Sequence, residues 1–188
     1  MVLETKRLIL RGWRDEDAPS LFNYAKDDRV GPMAGWLPHR DVAYSKAVIR
    51  TILSGDETYA ICLKERNGEP IGSIGLTLTG SPERPLEEGA AELGYWVGVP
   101  FWGMGIAPEA ARALINRGFA NLGLERIYAG YFIGNNRSKA VQEKCGFSYH
   151  HTNEKSHIIM LDETRVECIN CLTRAGWEAD IRTQKIHN

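Results

Sequence analysis

One segment constrains this chain more than any other: Val97-Gly98-Val99-Pro100-Phe101-Trp102-Gly103-Met104-Gly105-Ile106-Ala107-Pro108-Glu109. It reads as a strand that ends, glycines, then the start of a helix. The first turn of a helix carries N–H groups without intrahelical acceptors, at the positive end of the dipole. Glycines let that backbone wrap an anion closely, and the chemistry indicated is capture of a pyrophosphate. Other readings compete. A dinucleotide fingerprint needs G-x-G-x-x-G, but the third glycine would fall at Pro108. A Walker loop needs G-K-[ST], which is absent. A plain tight turn is the bland alternative.

Pro100 adds a second constraint. Proline cannot donate to a ladder, so pairing at this strand's end is expected to stop or splay there. A splayed strand offers unpaired backbone groups to an extended, amide-bearing ligand. The pantetheine arm of coenzyme A is such a ligand.

Around this segment the pattern is β-α-α-β-β-β-α-β-α-β-β. Strands are expected at Thr5–Trp13, Tyr59–Leu63, Ile71–Leu78, Ala91–Val99, Glu125–Phe132, from Phe147, and over Val166–Arg174. Asn67-Gly68 marks a hairpin turn. Helices are expected from Asp15 to about Lys26, over Asp41–Leu53, Pro108–Leu122 and Asn136–Lys144, with Gly123 and Gly146 closing the last two. Asp28–Arg40 and Ser81–Gly89 read as irregular. The expectation is an α/β (α+β) fold with a mixed sheet and helices on its faces, in a single domain over 5–178. The length, 188 residues, suits one domain.

Charge and composition exclude several classes. Lys plus Arg number 23 and Asp plus Glu 24, which argues against a general nucleic-acid binder. No run approaches the roughly 18 apolar residues of a membrane span. Met1–Leu10 lacks the apolar run of a signal peptide, so a cytoplasmic protein with reduced thiols is expected. Cys168-Ile-Asn-Cys171 matches C-x-x-C. In a strand its two cysteines face opposite sides, and a zinc site needs two more ligands. Packed thiols and no metal are the expectation, with His150, His151 and His157 keeping zinc open.

Glu92-Leu93-Gly94-Tyr95-Trp96, followed by Phe101-Trp102-Gly103-Met104-Gly105-Ile106-Ala107-Pro108-Glu109-Ala110, resembles the cofactor motif of the GNAT N-acetyltransferases. In the motif [QR]-x-x-G-x-[GA], Gly105 and Ala107 match and Trp102 replaces Gln or Arg, as in the RimJ/RimL-like branch. Asn135-Asn136-Arg137-Ser138 through Gly146-Phe147, the opening Glu4–Arg11 and Asp15–Ala18, and the closing strand near Trp177 are similar to that branch too. The resemblance implies a GNAT fold: a mostly antiparallel sheet of six to seven strands flanked by helices, with splayed central strands. It implies acetyl transfer from acetyl-CoA to a primary amine, with no metal. Backbone N–H groups of Gly103, Met104, Gly105, Ile106 and Ala107 would hold the pyrophosphate. Val97, Gly98 and Val99 would accompany the pantetheine arm, and Asn135 would contact it.

An amine nucleophile is mostly ammonium at pH 7 and is helped by a base; Glu92 on the central strand is the candidate, with Tyr149 and His151 behind it. The family tyrosine that protonates the departing thiolate corresponds to Gln142, which cannot. In the RimJ/RimL-like branch a serine serves, and Ser138 matches it; helix capping explains Ser138 equally well. Lys144, with Arg137 and Lys139, is a candidate for the 3′-phosphate. Trp36, Leu37 and Tyr44 are candidates for the acceptor wall, with Glu92 also facing the substrate. Protein N-termini, amino acids, polyamines and aminoglycosides all remain open as acceptors, and a monomer or a homodimer is expected. An acyl-CoA-binding sensor without turnover and a nucleotide-binding oxidoreductase are the competing functions.

Overall fold

The computed structural model describes residues 1–78, 80–81 and 84–186. Pro82 and Glu83 of the expected Ser81–Gly89 loop lie outside the described residues. The elements are β1 (Val2–Glu4), β2 (Leu8–Arg11), α1 (Ala18–Ala25), α2 (Val42–Thr51), β3 (Thr58–Leu63), β4 (Pro70–Thr77), β5 (Gly80–Ser81), β6 (Arg84–Pro85), β7 (Ala90–Val97), α3 (Ile106–Asn116), β8 (Arg126–Phe132), α4 (Asn136–Lys144), β9 (Ser148–Ile158), β10 (Glu163–Thr173) and α5 (Arg174–Ile186).

Eight strands form a mixed, mostly antiparallel sheet flanked by helices, in the order β1-β2-β3-β4-β7-β8-β10-β9. The expected six to seven strands omit β1. Its three residues are too few to show alternation, and it becomes a strand only by pairing Leu3 with Leu10. The β5–β6 ribbon stands apart from this sheet. Among the described residues no helix is long and apolar enough to cross a membrane.

The chain divides into two compact units: Met1–Gly75, Tyr95–Ala113 and His157–Glu163 form the first, and Leu76–Gly94, Leu114–Ser156 and Thr164 onward the second. In the first, β2 pairs antiparallel with β3, Leu10 opposite Ile61, and β3 with β4, Tyr59 opposite Ile74. Asn67 and Gly68 both adopt positive φ, and Glu69 N–H closes the turn onto Arg66 O at 3.0 Å. Leu21, Ala18 and Ala25 of α1 meet Ile49 of α2, and Trp13, Trp36, Leu53 and Trp96 pack on them.

Asp15–Asp17 forms a 3₁₀ turn that runs directly into α1, with Asp17 accepting the Arg14 N–H at 2.9 Å. Its acids are taken by cations: Asp17 bridges Arg11 through two bonds of 2.7 and 2.8 Å, and Asp15 pairs with Arg50. Asp41 caps α2, accepting from Tyr44 N–H.

His39 is buried before α2, its Nδ1 2.8 Å from Ser45 Oγ. Burial pushes its pKa down to about 4. An unfolded histidine takes its proton near 6.5, so the stability tied to neutral His39 is lost as pH falls from about 6.5 to about 4. That loss is on the order of 3 kcal/mol at most. His39→Gln is expected to flatten the fall of Tm across this window. A slope equal to that of the unsubstituted protein would contradict the assignment.

In the second unit, β8 pairs antiparallel with β10 from Arg126↔Thr173 to Phe132↔Glu167. The helix expected over Pro108–Leu122 is α3 up to Asn116, then a wider π turn over Arg117–Asn121. Phe119 of that turn is buried and stacks on Trp177 at 5.2 Å. Trp177 belongs to α5, not to the closing strand where it was expected. Thr173 Oγ1 accepts Gly176 N–H at 3.2 Å, a capping contact that starts the helix.

Candidate active site

In the first unit, β7 ends at Val97 and Val99–Phe101 forms a 3₁₀ turn, so Val99 is not a strand residue as expected. Three contacts clamp the backbone from Gly98 to Met104. Gly98 N–H donates to Ile71 O at 2.8 Å. The Trp102 indole N–H donates to Val97 O at 2.7 Å, which explains what tryptophan does in place of Gln or Arg: it staples the turn. Arg7 Nη1 donates to Met104 O at 2.9 Å. Because a trans peptide points its C=O and N–H in opposite directions, this bond aims Gly105 N–H away from Arg7.

Arg7 is itself fixed. Its Nε meets Glu109 Oε2 at 2.7 Å, its backbone N–H donates to Glu109 Oε1 at 2.9 Å, and Thr5 Oγ1 donates to the same oxygen at 2.6 Å. Burial pushes the Glu109 carboxyl up, but these donors outweigh it and hold it below the usual range. Glu109 lies in the first turn of α3, where the dipole also favours a carboxylate.

Gly103 and Gly105 have φ of +76° and +73°, a left-handed backbone that L side chains resist. A Cβ on Gly103 would find nothing within 4 Å. Gly103 and Met104 are exposed, whereas Ile106 is buried as α3 begins. The result is an exposed glycine crown on a rigid base, leading into the first-turn N–H groups of Ile106 and Ala107. The residues fit a pyrophosphate: a Cβ on Gly103 would stand in open space, the atom beside Gly105 is the cationic Arg7 Nη2 at 3.6 Å from where its Cβ would be, and first-turn N–H groups have no intrahelical acceptor.

Trp36 and Tyr44, expected at an acceptor wall, lie in this unit too. Trp36 meets Trp96 at 5.7 Å and His39 at 5.3 Å, and His39 meets Tyr44 at 5.0 Å. Trp96 and His39 were not anticipated. Alternation along β7 could have found Trp96, two pleats beyond Glu92 on the same strand face. Leu37 is exposed.

Glu92, Asn135, Ser138 and Lys144 belong to the second unit. The parallel β7–β8 ladder sets Ala90, Ala91 and Glu92 opposite Arg126, Ile127 and Tyr128 and ends there. The parting therefore begins at Glu92, and Pro100 is not its cause: it sits in the 3₁₀ turn beyond the strand. Glu92 is half-buried. Asn135 caps α4, its Oδ1 accepting Ser138 N–H at 3.1 Å. Ser138 thus sits at the third helical position and the cap is Asn135. Gln142 is 1% exposed and donates from Nε2 to Ser138 Oγ at 3.3 Å and to Gly130 O at 3.0 Å. Its Oε1 accepts Asn170 Nδ2 at 2.8 Å.

Lys144 and Arg137 are exposed on α4, and Lys139 pairs with Glu143 at 3.8 Å. Tyr149 and His151 are exposed on β9, with His150 and His151 2.7 Å apart through their Nδ1 atoms. The four cysteines are buried free thiols. Among the described residues no group of three metal-ligating side chains is assembled.

Comparison with known proteins gives the family and the fold. The Acetyltransferase (GNAT) domain family matches residues 7–148. The protein named Uncharacterized N-acetyltransferase p20, from Bacillus licheniformis, is 37% identical over 132 residues, 68% of this chain and 71% of that one. A GNAT-family acetyltransferase structure from Bacillus anthracis superposes with a TM-score of 0.80 at 21% identity, covering 93% of this chain and 99% of that one. A ribosomal-protein-S5-alanine acetyltransferase from Vibrio fischeri gives a TM-score of 0.70 at 20% identity, covering 94% and 98%. With its glycine crown, its capped Asn135 helix and this match over three quarters of its length, the chain belongs to the GNAT acetyltransferase family, whose members use acetyl-CoA.

Proposed function

We propose that this chain carries the acetyl group of acetyl-CoA to a primary amine by direct attack in a ternary complex. The observation that carries the proposal is the clamped crown of Gly103–Ala107, whose positive-φ glycines lead into helix-start amides that suit an anion such as a pyrophosphate. In this reading the N–H groups of Gly103, Met104, Gly105, Ile106 and Ala107 hold the pyrophosphate. The carrier arm runs along the edge of β7 that the ladder beyond Glu92 leaves, next to Val97, Gly98 and Val99. Val97 O is already taken by Trp102, so its share is limited to its N–H and side chain. Asn135, Ser138 and Lys144 complete the cofactor contacts.

The chemistry needs orientation, deprotonation and charge stabilisation. The amine nitrogen forms a bond to the acetyl carbon while the C–S bond breaks. Glu92 takes the first proton of the ammonium, directly or through water, before the nitrogen attacks; Ser138 gives its hydroxyl hydrogen to the departing sulfur, and the second nitrogen proton, released as the amide forms, restores the serine hydroxyl. Trp36 and Tyr44 wall the acceptor. A polypeptide N-terminus suits this site best: its α-amine has a pKa near 8 against about 10.4 for lysine, so a carboxylate base has less to remove. The alanine acceptor in the name of the Vibrio fischeri protein supports the same choice.

The test is thiol release from acetyl-CoA with an alanine-initiated peptide, a free amino acid, a polyamine and an aminoglycoside. Turnover is expected to be fastest with the peptide. Tight binding of CoA with no thiol release from any amine would favour the sensor reading instead. Arg7→Ala frees Met104 O and leaves Glu109 without its cation. It is expected to weaken CoA binding about tenfold, the scale of one charge-assisted bond. Titration with CoA checks it, and unchanged affinity would detach Arg7 from the crown.

A further inference from the structure

The buried amides of the second unit supply what the sequence leaves unexplained at Gln142. The family's proton donor is missing there, yet the residue is polar, almost fully buried and hydrogen-bonded at both ends of its carboxamide. Buried polar groups are retained at a cost unless every partner is satisfied, and here the partners dictate orientation. Asn170 Nδ2 donates to Gln142 Oε1, and Gly130 O accepts from Gln142 Nε2. Those two bonds allow one amide orientation only. Turning the amide over would set its oxygen against Gly130 O and its nitrogen against the Asn170 amide nitrogen. The orientation so fixed presents an N–H to Ser138 Oγ, never an oxygen.

We infer that Gln142, locked by Asn170 and Gly130, is a positioning residue that makes Ser138 the recipient in their contact and reserves the serine hydroxyl hydrogen for donation. The inference rests on the proposed role of Ser138. A hydroxyl that accepts an N–H is polarised as a donor, which is what a departing thiolate requires. A glutamate at 142 would do the opposite and draw the hydrogen to itself. The placement is shared among three elements: Ser138 and Gln142 lie one turn apart on α4, Gly130 on β8 and Asn170 on β10, opposite Ala129.

The test is a double-mutant cycle on the full chain, read as kcat and KM with acetyl-CoA and an alanine-initiated peptide. Ser138→Ala is expected to lower kcat about tenfold, a modest factor because a thiol with pKa near 8.5 leaves with limited help. Gln142→Met is expected to lower kcat by about fivefold in the unsubstituted background, with KM for acetyl-CoA within about twofold, and to have no further effect on kcat when Ser138 is alanine. Asn170→Ser, a milder change should Gln142→Met not fold, is expected to show the same non-additivity with a smaller loss. Equal losses in both backgrounds would mean Gln142 is merely structural and would overturn the inference while leaving Ser138 in its role. Unchanged kcat in Ser138→Ala, or no turnover in the unsubstituted chain, would overturn the reading beneath it as well.

Discussion

Gly103→Val is expected to reduce affinity for CoA by about 100-fold, or ~2.7 kcal/mol, while the protein remains folded. The position has φ +76°, which for a β-branched residue costs about 1–2 kcal/mol. An added Cβ meets nothing within 4 Å, so no clash inside the protein accompanies that strain. The crown relieves it by turning its peptide units, and the N–H groups no longer converge on one anion. The new side chain also occupies the space where the anion must approach. Titration with CoA and a thermal melt separate the two effects. A lowered Tm with unchanged CoA affinity would show that the crown does not carry the pyrophosphate.

Glu92→Gln is expected to lower kcat by about 100-fold near pH 6.5 and by only a few-fold near pH 9 with the alanine-initiated peptide. The acceptor sets the sign. Below its pKa near 8 the α-amine is mostly ammonium and needs a base, whereas above it the free amine is supplied by solvent. Glutamine keeps the size of Glu92 and its place in the β7–β8 ladder opposite Tyr128. A pH–rate profile of both proteins checks it. A loss by the same factor at both pH values would assign Glu92 a structural part.

What could be read from the sequence was local. Helix α4 runs over Asn136–Lys144 with Gly146 beyond its end, as expected, although its cap is Asn135 and not Ser138. Asn67-Gly68 turns as its type requires, and Gly103 and Gly105 take the positive φ that a crown needs. What could not be read depends on partners distant in sequence. Arg7 and Glu109 are 102 residues apart, and nothing in either neighbourhood announces the bond that orients Met104. Gln142 read as a missing acid because its partners Gly130 and Asn170 come from other elements. Pro100 suggested where the strands part, but the β7–β8 ladder ends at Glu92, and only the pairing register reveals that. Nothing local marks helix α5, where Trp177 stacks on Phe119 from a distant part of the chain.

In the proposed function, main-chain amides at the start of α3 grip a diphosphate. Titration calorimetry of the unsubstituted protein with CoA and with pantetheine, which lacks the diphosphate, tests it most directly. Saturable heat is expected with CoA, and at least about 100-fold weaker binding with pantetheine, the scale of several charge-assisted bonds. Equal affinity for the two, or no heat with CoA, would contradict it.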